Sequence, residues 1–440
     1  MRTVVTHYRD LARWDVKSFL LFSNIGADHV RLGTLLRKKQ NQWNGTDDVP
    51  MLSLHFGGEF SQRESNQIKG QLFVADKGDL VYSKIDLRNG AIGIIPDQYS
   101  RALFTAEFPI YEIDTSVIHP VYLQLYLQSS AFKNLINSIV SGASGRKRVK
   151  PSDFESLFVR VPAMNIQEGI VNDWHKAQME VHGLKKSASD LESSIDRFVL
   201  SELGIQLKEP QKNDGAFVVH FSDLERWGVD FNTINAKTAR NIKGKYKSKK
   251  LFEITRATCG GKWGDEKPTK NSTVLKILRA TNFDGINNIN LSNIAERAIK
   301  TSEIPNFVLK KGDIIVEKSG GGEKTPVGRV AFIDLDIHYG YSNFLQKISI
   351  VEGVNPKFVY ITLGTYHSVG FTKYLQMNTT GLRNLIMEDY WSVNIPIPPL
   401  LKQNEIVAKV EIIKKRIIDI QNQVIDKLQS AKADIEKAII

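Results

Sequence analysis

At 440 residues the chain is too long for one ordinary core, and its 42% hydrophobic and 24% charged content is that of globular units in water. A net charge of +11 favours an anionic partner, and a single cysteine, Cys259, excludes an internal disulfide framework or a multi-cysteine metal site. No run is apolar enough to span a membrane, and "MRTVVTHYRDLARWD" has no signal-peptide core, so the expected place is the cytoplasm.

Taken in chain order, the elements are written twice. "LARWDVKSF" (Leu11–Phe19) opens the first half and "LERWGVDFN" (Leu224–Asn232) the second, with Arg13-Trp14 matching Arg226-Trp227 at an offset of 213. The Trp residues, beside a predicted first strand, read as core. Next, "KGDLVYSK" (Lys77–Lys84) matches "KGDIIVEK" (Lys311–Lys318) at an offset of 234. "GDLVYSK", "IGIIP", "GDIIVEKS", "GRVAFID" and "FLQKISIV" are short β-rich runs between turn signals. "HPVYLQLYLQSSAFKNLINSIV" and "NPKFVYITLGTYHSVGFTKYLQ" are helical, each opening near a proline. Then Ser141–Pro162 lies over Met377–Pro398 at an offset of 236. The growing offset predicts insertions in the second half, and the loop-rich "TCGGKWGDEKPTKNS" is one place for them.

Each half ends in a helix. "FVRVPAMNIQEGIV" (Phe158–Val171) and "NIPIPPLLKQNEIV" (Asn394–Val407) share a layout of strand, proline stop and helix start, with Gln167 over Gln403. Ile170, Trp174, Ala177, Val181, Leu184, Ala188, Leu191, Ile195 and Phe198 alternate in steps of four and three. Ile406, Val410, Ile413, Ile417, Ile420 and Val424 repeat that register. Such seams predict two long helices paired with each other, each about 55 Å long. "GIQLKEPQKNDGAF" (Gly204–Phe217) reads as a polar linker. The expected α/β (α+β) organisation is a globular unit over 1–164, a helix over 165–208, a globular unit over 209–400 and a helix over 401–440.

Residues 165–203 and 401–439 carry net charges of −3 and +2, so the basic excess belongs to the globular units. Two kinds of loop are candidates for phosphate or base contact. The first is "SGASGRKRVKPSD", offering Ser144, Arg146, Lys147, Arg148 and Lys150, with Arg383 and Asn384 in its counterpart. The second follows the matched strand: Lys84, Arg88 and Asn89 in one half, Lys318, Ser319, Lys324 and Arg329 in the other. Arginine suits guanine edges and asparagine suits adenine edges. The bland alternative is ordinary solvated loops.

Recognisable catalytic chemistry is sparse. "SGGGEKT" fails the phosphate-loop pattern because Glu323 stands where a glycine is required. His175 and His182 are seven residues apart on one helix, about 10.5 Å along its axis, too far to share a metal. Asp313, Glu317 and Lys318 are the nearest approach to a Mg-dependent nuclease cluster, without its usual spacing. That leaves a nuclease, or a scaffold without sequence readout, as alternatives to a DNA reader.

Two variable halves, each followed by a similar long helix, resemble the specificity subunit of type I restriction–modification systems. The resemblance rests on "IPIPPLLKQNEIVAKVE" with its echo "VRVPAMNIQEGIVNDWH", on "RWDVKSF" and "RWGVDFN", and on "EKSGGGEKTPVGRVAF". The first copy of the joint departs from the pattern, with Ala163 for Pro399 and Gly169 for Glu405. The resemblance implies two target recognition domains reading a split double-stranded DNA site, and antiparallel helices giving pseudo-two-fold symmetry. Two methylation subunits carrying S-adenosylmethionine would dock on the chain, and two restriction subunits using ATP and Mg would join for cleavage, all in a bacterial or archaeal cytoplasm. This chain itself would hold no cofactor and perform no catalysis. A related methylation-based phage-exclusion system is the alternative within the same chemistry.

Overall fold

The computed structural model describes residues 26–45, 47–63, 70–139, 148–206, 218, 220–221, 242–284, 288–322, 326–379 and 382–439. The repeated Arg13-Trp14 and Arg226-Trp227 lie outside them. The chain divides into two compact units, Met1–Leu184 with Gln423–Ile440, and Lys185–Asn422. The division falls inside both long helices, so each unit contains part of each.

The first unit is built on a four-stranded antiparallel sheet, in the order Leu36–Lys39, Ile110–Ile113, Leu80–Tyr82, Ile92–Ile94. The turn before Leu80–Tyr82 needs Gly78 at φ +85°, and the buried Asp79 carboxylate closes it by accepting from Asp76 N–H at 2.7 Å. Leu80, Val81 and Tyr82 are all fully buried, as an apolar strand covered on both faces must be. The helix Pro120–Gln128 starts on proline, where no intrahelical N–H is needed, and His119 caps it. Its Tyr122, Leu123 and Leu127 join Tyr82, Tyr111, Phe132 and Phe154 in one core. The strand Phe158–Arg160 then pairs antiparallel with His29–Arg31 and delivers the chain to Pro162.

The second unit repeats this plan. Its sheet runs Thr255–Gly260, Leu345–Ile350, Ile314–Glu317, Val330–Phe332, again antiparallel. Gly312 stands at φ +92° in the matching turn, closed by Asp313 accepting from Lys310 N–H at 2.8 Å. The helix Pro356–Ser368 is capped by Asn355, and Asn394–Pro396 pairs with Ser248–Lys250. The halves differ where the second is longer. There Ser272–Leu278 pairs with Ala295–Lys300 and, in parallel, with Tyr339–Tyr341 over a core of its own containing Leu275, Ile277, Phe307 and Tyr341.

The two long helices span Met164–Leu203 and Leu400–Ile439. They are antiparallel within each unit. In the second, Lys402 pairs with Glu202 at 2.8 Å while Ile195 and Val410 line one cavity farther along. In the first, Lys427 pairs with Glu180, and Ile435 and Ile439 pack with Ile170, Val171 and Trp174. Ile170, Val181, Ile406, Val410 and Ile417 are buried, and Trp174, Ala177, Leu184, Ile413 and Ile420 are half-buried. Each fully buried aliphatic side chain contributes about 1.5–3 kcal/mol, so the seam outweighs the exposed ion pairs beside it. Among the described residues no helix is long and apolar enough to cross a membrane.

Each helix is tied to its globular unit by one buried glutamine. Gln167 is 0% exposed; its Oε1 accepts from His119 N–H at 2.8 Å and its Nε2 donates to Pro162 O at 2.8 Å. Gln403, 1% exposed, accepts from Asn355 N–H at 2.8 Å and donates to Pro398 O at 2.8 Å. The position occupied by Ala163 or Pro399 supplies a carbonyl to the glutamine N–H, a role either residue fills. Gly169 has open space around it and Glu405 reaches out to Lys402, so that difference lies on the solvent side. Replacing Gln403 by Ala leaves Asn355 N–H and Pro398 O without this partner in the interior. We expect a loss of about 1–3 kcal/mol in urea unfolding, whereas Lys402→Ala, which removes only a solvent-screened ion pair, should leave the midpoint nearly unchanged.

Candidate nucleic-acid interface

The two kinds of candidate loop, far apart in sequence, meet in each unit. In the first, the chain leaving Leu80–Tyr82 reaches Lys84, whose carbonyl accepts from Val149 N–H at 2.8 Å. In the second, the chain leaving Ile314–Glu317 reaches Lys318, whose carbonyl accepts from Leu385 N–H at 2.8 Å. These contacts join equivalent positions of the duplication. In the second unit they extend into a three-stranded antiparallel sheet of Ser319–Gly321, Leu382–Leu385 and Gln376–Thr379. Ser319 stands opposite Asn384 and donates its hydroxyl to the Asn384 side-chain carbonyl, while Gly321 stands opposite Arg383.

Lys318, Ser319, Arg383 and Asn384 are thus brought together. Lys318 is half-buried, with Nζ 3.4 Å from Gln346 Oε1. Burial holds its ammonium below the ordinary lysine value, opposed by the nearby Cys259 thiol. A phosphate or base oxygen beside Nζ would stabilise the charged form. Arg329 is differently placed. It grips the Glu317 carboxylate with two hydrogen bonds of 2.8 and 2.9 Å, and its own pKa is raised by that bond.

In the first unit Lys84 Nζ donates to Ala106 O at 2.6 Å, and Arg148 lies 3.4 Å from Glu107. Arg88 and Asn89 occupy the turn Leu87–Asn89, where Asn89 donates to Asp86 at 3.2 Å. Lys150 is exposed beside Val149. Ser144, Arg146, Lys147 and Lys324 lie outside the described residues. Gln346, which contacts Lys318, and Thr258, which accepts from Gln346 Nε2 at 2.7 Å, were not legible as site residues. Their only sequence signal is a polar side chain inside a predicted strand.

The carboxylates of the nuclease alternative have other work. Asp313 accepts from Lys310 N–H and from Ser349 Oγ, the latter at 2.6 Å, and Glu317 is held by Arg329. Both are buried and engaged within the fold.

Residues 243–430 match the family model of the type I restriction modification DNA specificity domain. That segment of the second half is thus similar to a type I restriction modification DNA specificity domain. A chain of the type I R-M system, solved to describe its complex assembly and conformational transition, shares the fold at 13% identity, with a TM-score of 0.55, covering 93% of this chain and 97% of that one. The HsdS subunit from Thermoanaerobacter tengcongensis, at 13% identity with a TM-score of 0.41, covers 93% and 96%. The type I S subunit from M. genitalium, at 12% identity with a TM-score of 0.42, covers 95% and 97%. No curated protein matches the chain.

The matched segment contains the whole convergence of Lys318, Ser319, Arg383 and Asn384. If Lys318 meets an anionic oxygen of DNA, binding requires its charged form, whose pKa in the free protein is depressed. Affinity at constant salt should therefore fall as pH rises toward the ordinary lysine range, earlier than for a solvated lysine. Lys318→Arg should flatten that profile below the ordinary lysine value, because guanidinium stays charged. Fluorescence anisotropy on a target duplex reads this, and identical profiles would remove Lys318 from the interface.

Proposed function

We propose that the whole chain is the DNA-recognition subunit of a type I restriction–modification complex, reading a bipartite, asymmetric target with one unit per half-site. The observation that supports this best is the repeated convergence, Lys84 with Val149 and Lys318 with Leu385, in two units of matching topology. The frame is common and the side chains on it differ. That is the arrangement expected of two readers with different base preferences. Lys84, Arg88, Asn89, Arg148 and Lys150 are the proposed contacts of the first unit, and Lys318, Ser319, Arg383 and Asn384 those of the second. Arg329 would act by holding Glu317 away from the phosphates.

Methylation and cleavage belong, in this reading, to partners: two methylation subunits using S-adenosylmethionine and two restriction subunits using ATP and Mg, in the cytoplasm. On the long helices Met179 and Ile425 in the first unit, and Ile412 in the second, are more than half exposed, apolar side chains available to such partners. The test is a methylome map of a host carrying the system. Exchanging residues 26–160 for the matching segment of another specificity subunit should change one half of the methylated target and leave the other intact. A change in both halves, or methylation without a bipartite target, would sink the proposal.

A further inference from the structure

The three-stranded sheet of the second unit has one face turned out. Strand residues alternate between faces, and directly paired residues share one. Leu385, 6% exposed, and its partner Gln376, which donates to Val327 O and Thr372 O, mark the inward face. Asn384 therefore points outward, and its neighbours across the sheet, Ser319 on one side and Met377 on the other, share that face. Leu382, two residues along the strand from Asn384, does so as well. Met377 is 51% exposed and Leu382 47% exposed.

Two large apolar side chains on the open face of a small sheet have an unfavourable contact with water. They share that face with the polar side chains of Ser319 and Asn384. A ligand that fits must offer hydrogen-bonding edges beside an apolar group. The DNA major groove has that character, with donors and acceptors on its base edges and the thymine C5-methyl as its apolar group. Paired strands are among the elements it admits.

We infer that Met377 and Leu382 pack on the C5-methyl of a thymine in the half-site read by the second unit, beside base edges contacted by Asn384. This rests on the proposed function and goes beyond it by naming the base group recognised. The first half carries Ser141 and Arg146 at the corresponding sequence positions, so the methyl contact should be confined to one half-site.

The experiment uses the full chain assembled with its methylation partner, on target duplexes in which each thymine is replaced singly by uracil, which lacks only the methyl group. Replacement of at least one thymine, in one half-site only, should weaken binding by about fourfold. Met377→Ala and Leu382→Ala should each weaken binding to the thymine duplex and shrink that thymine–uracil difference toward unity. Met377→Gln, which keeps the side-chain length, should do the same, and unchanged assembly with the partner shows that the variants fold. The inference is overturned if the complex keeps its sequence preference while every uracil is tolerated. A uracil effect that persists in all three variants, or a second half-site without thymine, also overturns it. Loss of all sequence preference in the wild-type complex would instead bring down the proposed function and this inference with it.

Discussion

The buried glutamine at the start of each long helix is the constraint on which the rest of the structure depends. A primary amide removed from water must find both donor and acceptor partners, or it costs the fold a few kcal/mol. Gln167 and Gln403 find them at two fixed places: the N–H that opens a proline-started helix, and the carbonyl of the proline that ends the last strand. Strand, domain helix and long helix are thereby locked at one point in each unit. A substitution there disturbs three elements together, whereas substitutions at variable turns disturb one.

That lock separates what is constant from what can vary. On the constant side are the sheet order, the turns at Gly78 and Gly312, and the closing carboxylates Asp79 and Asp313. On the variable side, the chain beyond the second core strand emerges at Lys84 or Lys318 and meets the segment arriving at Val149 or Leu385. Backbone hydrogen bonds hold that meeting, so its side chains can change without loss of the frame. A DNA reader needs such a division, because specificity must change while the scaffold persists.

Electrostatics in the second unit follow from the same frame. Glu317 is buried at the end of a core strand, and Arg329 answers it with a bidentate pair. Lys318, one residue on, makes a 3.4 Å contact to Gln346 and has a depressed pKa. The last residue of a strand and the one after it thus divide into an internal pair and a cation suited to an external anion.

Much of this was legible in the sequence. The duplication, the heptad seams, the "KGD" turns and the proline–glutamine joint are one-dimensional patterns, carried by spacing and repetition, and amino-acid order alone reveals them. It also marked Lys318, Ser319, Arg383 and Asn384 as candidates, but in two unrelated loops. Their meeting in one sheet, the engagement of Arg329 with Glu317, the partners of the two glutamines and the outward face of Met377 and Leu382 were decided by tertiary structure. Each depends on a hydrogen bond or strand pairing between residues distant in the chain. No local periodicity encodes such a partner, because it exists only once the core has brought the segments together.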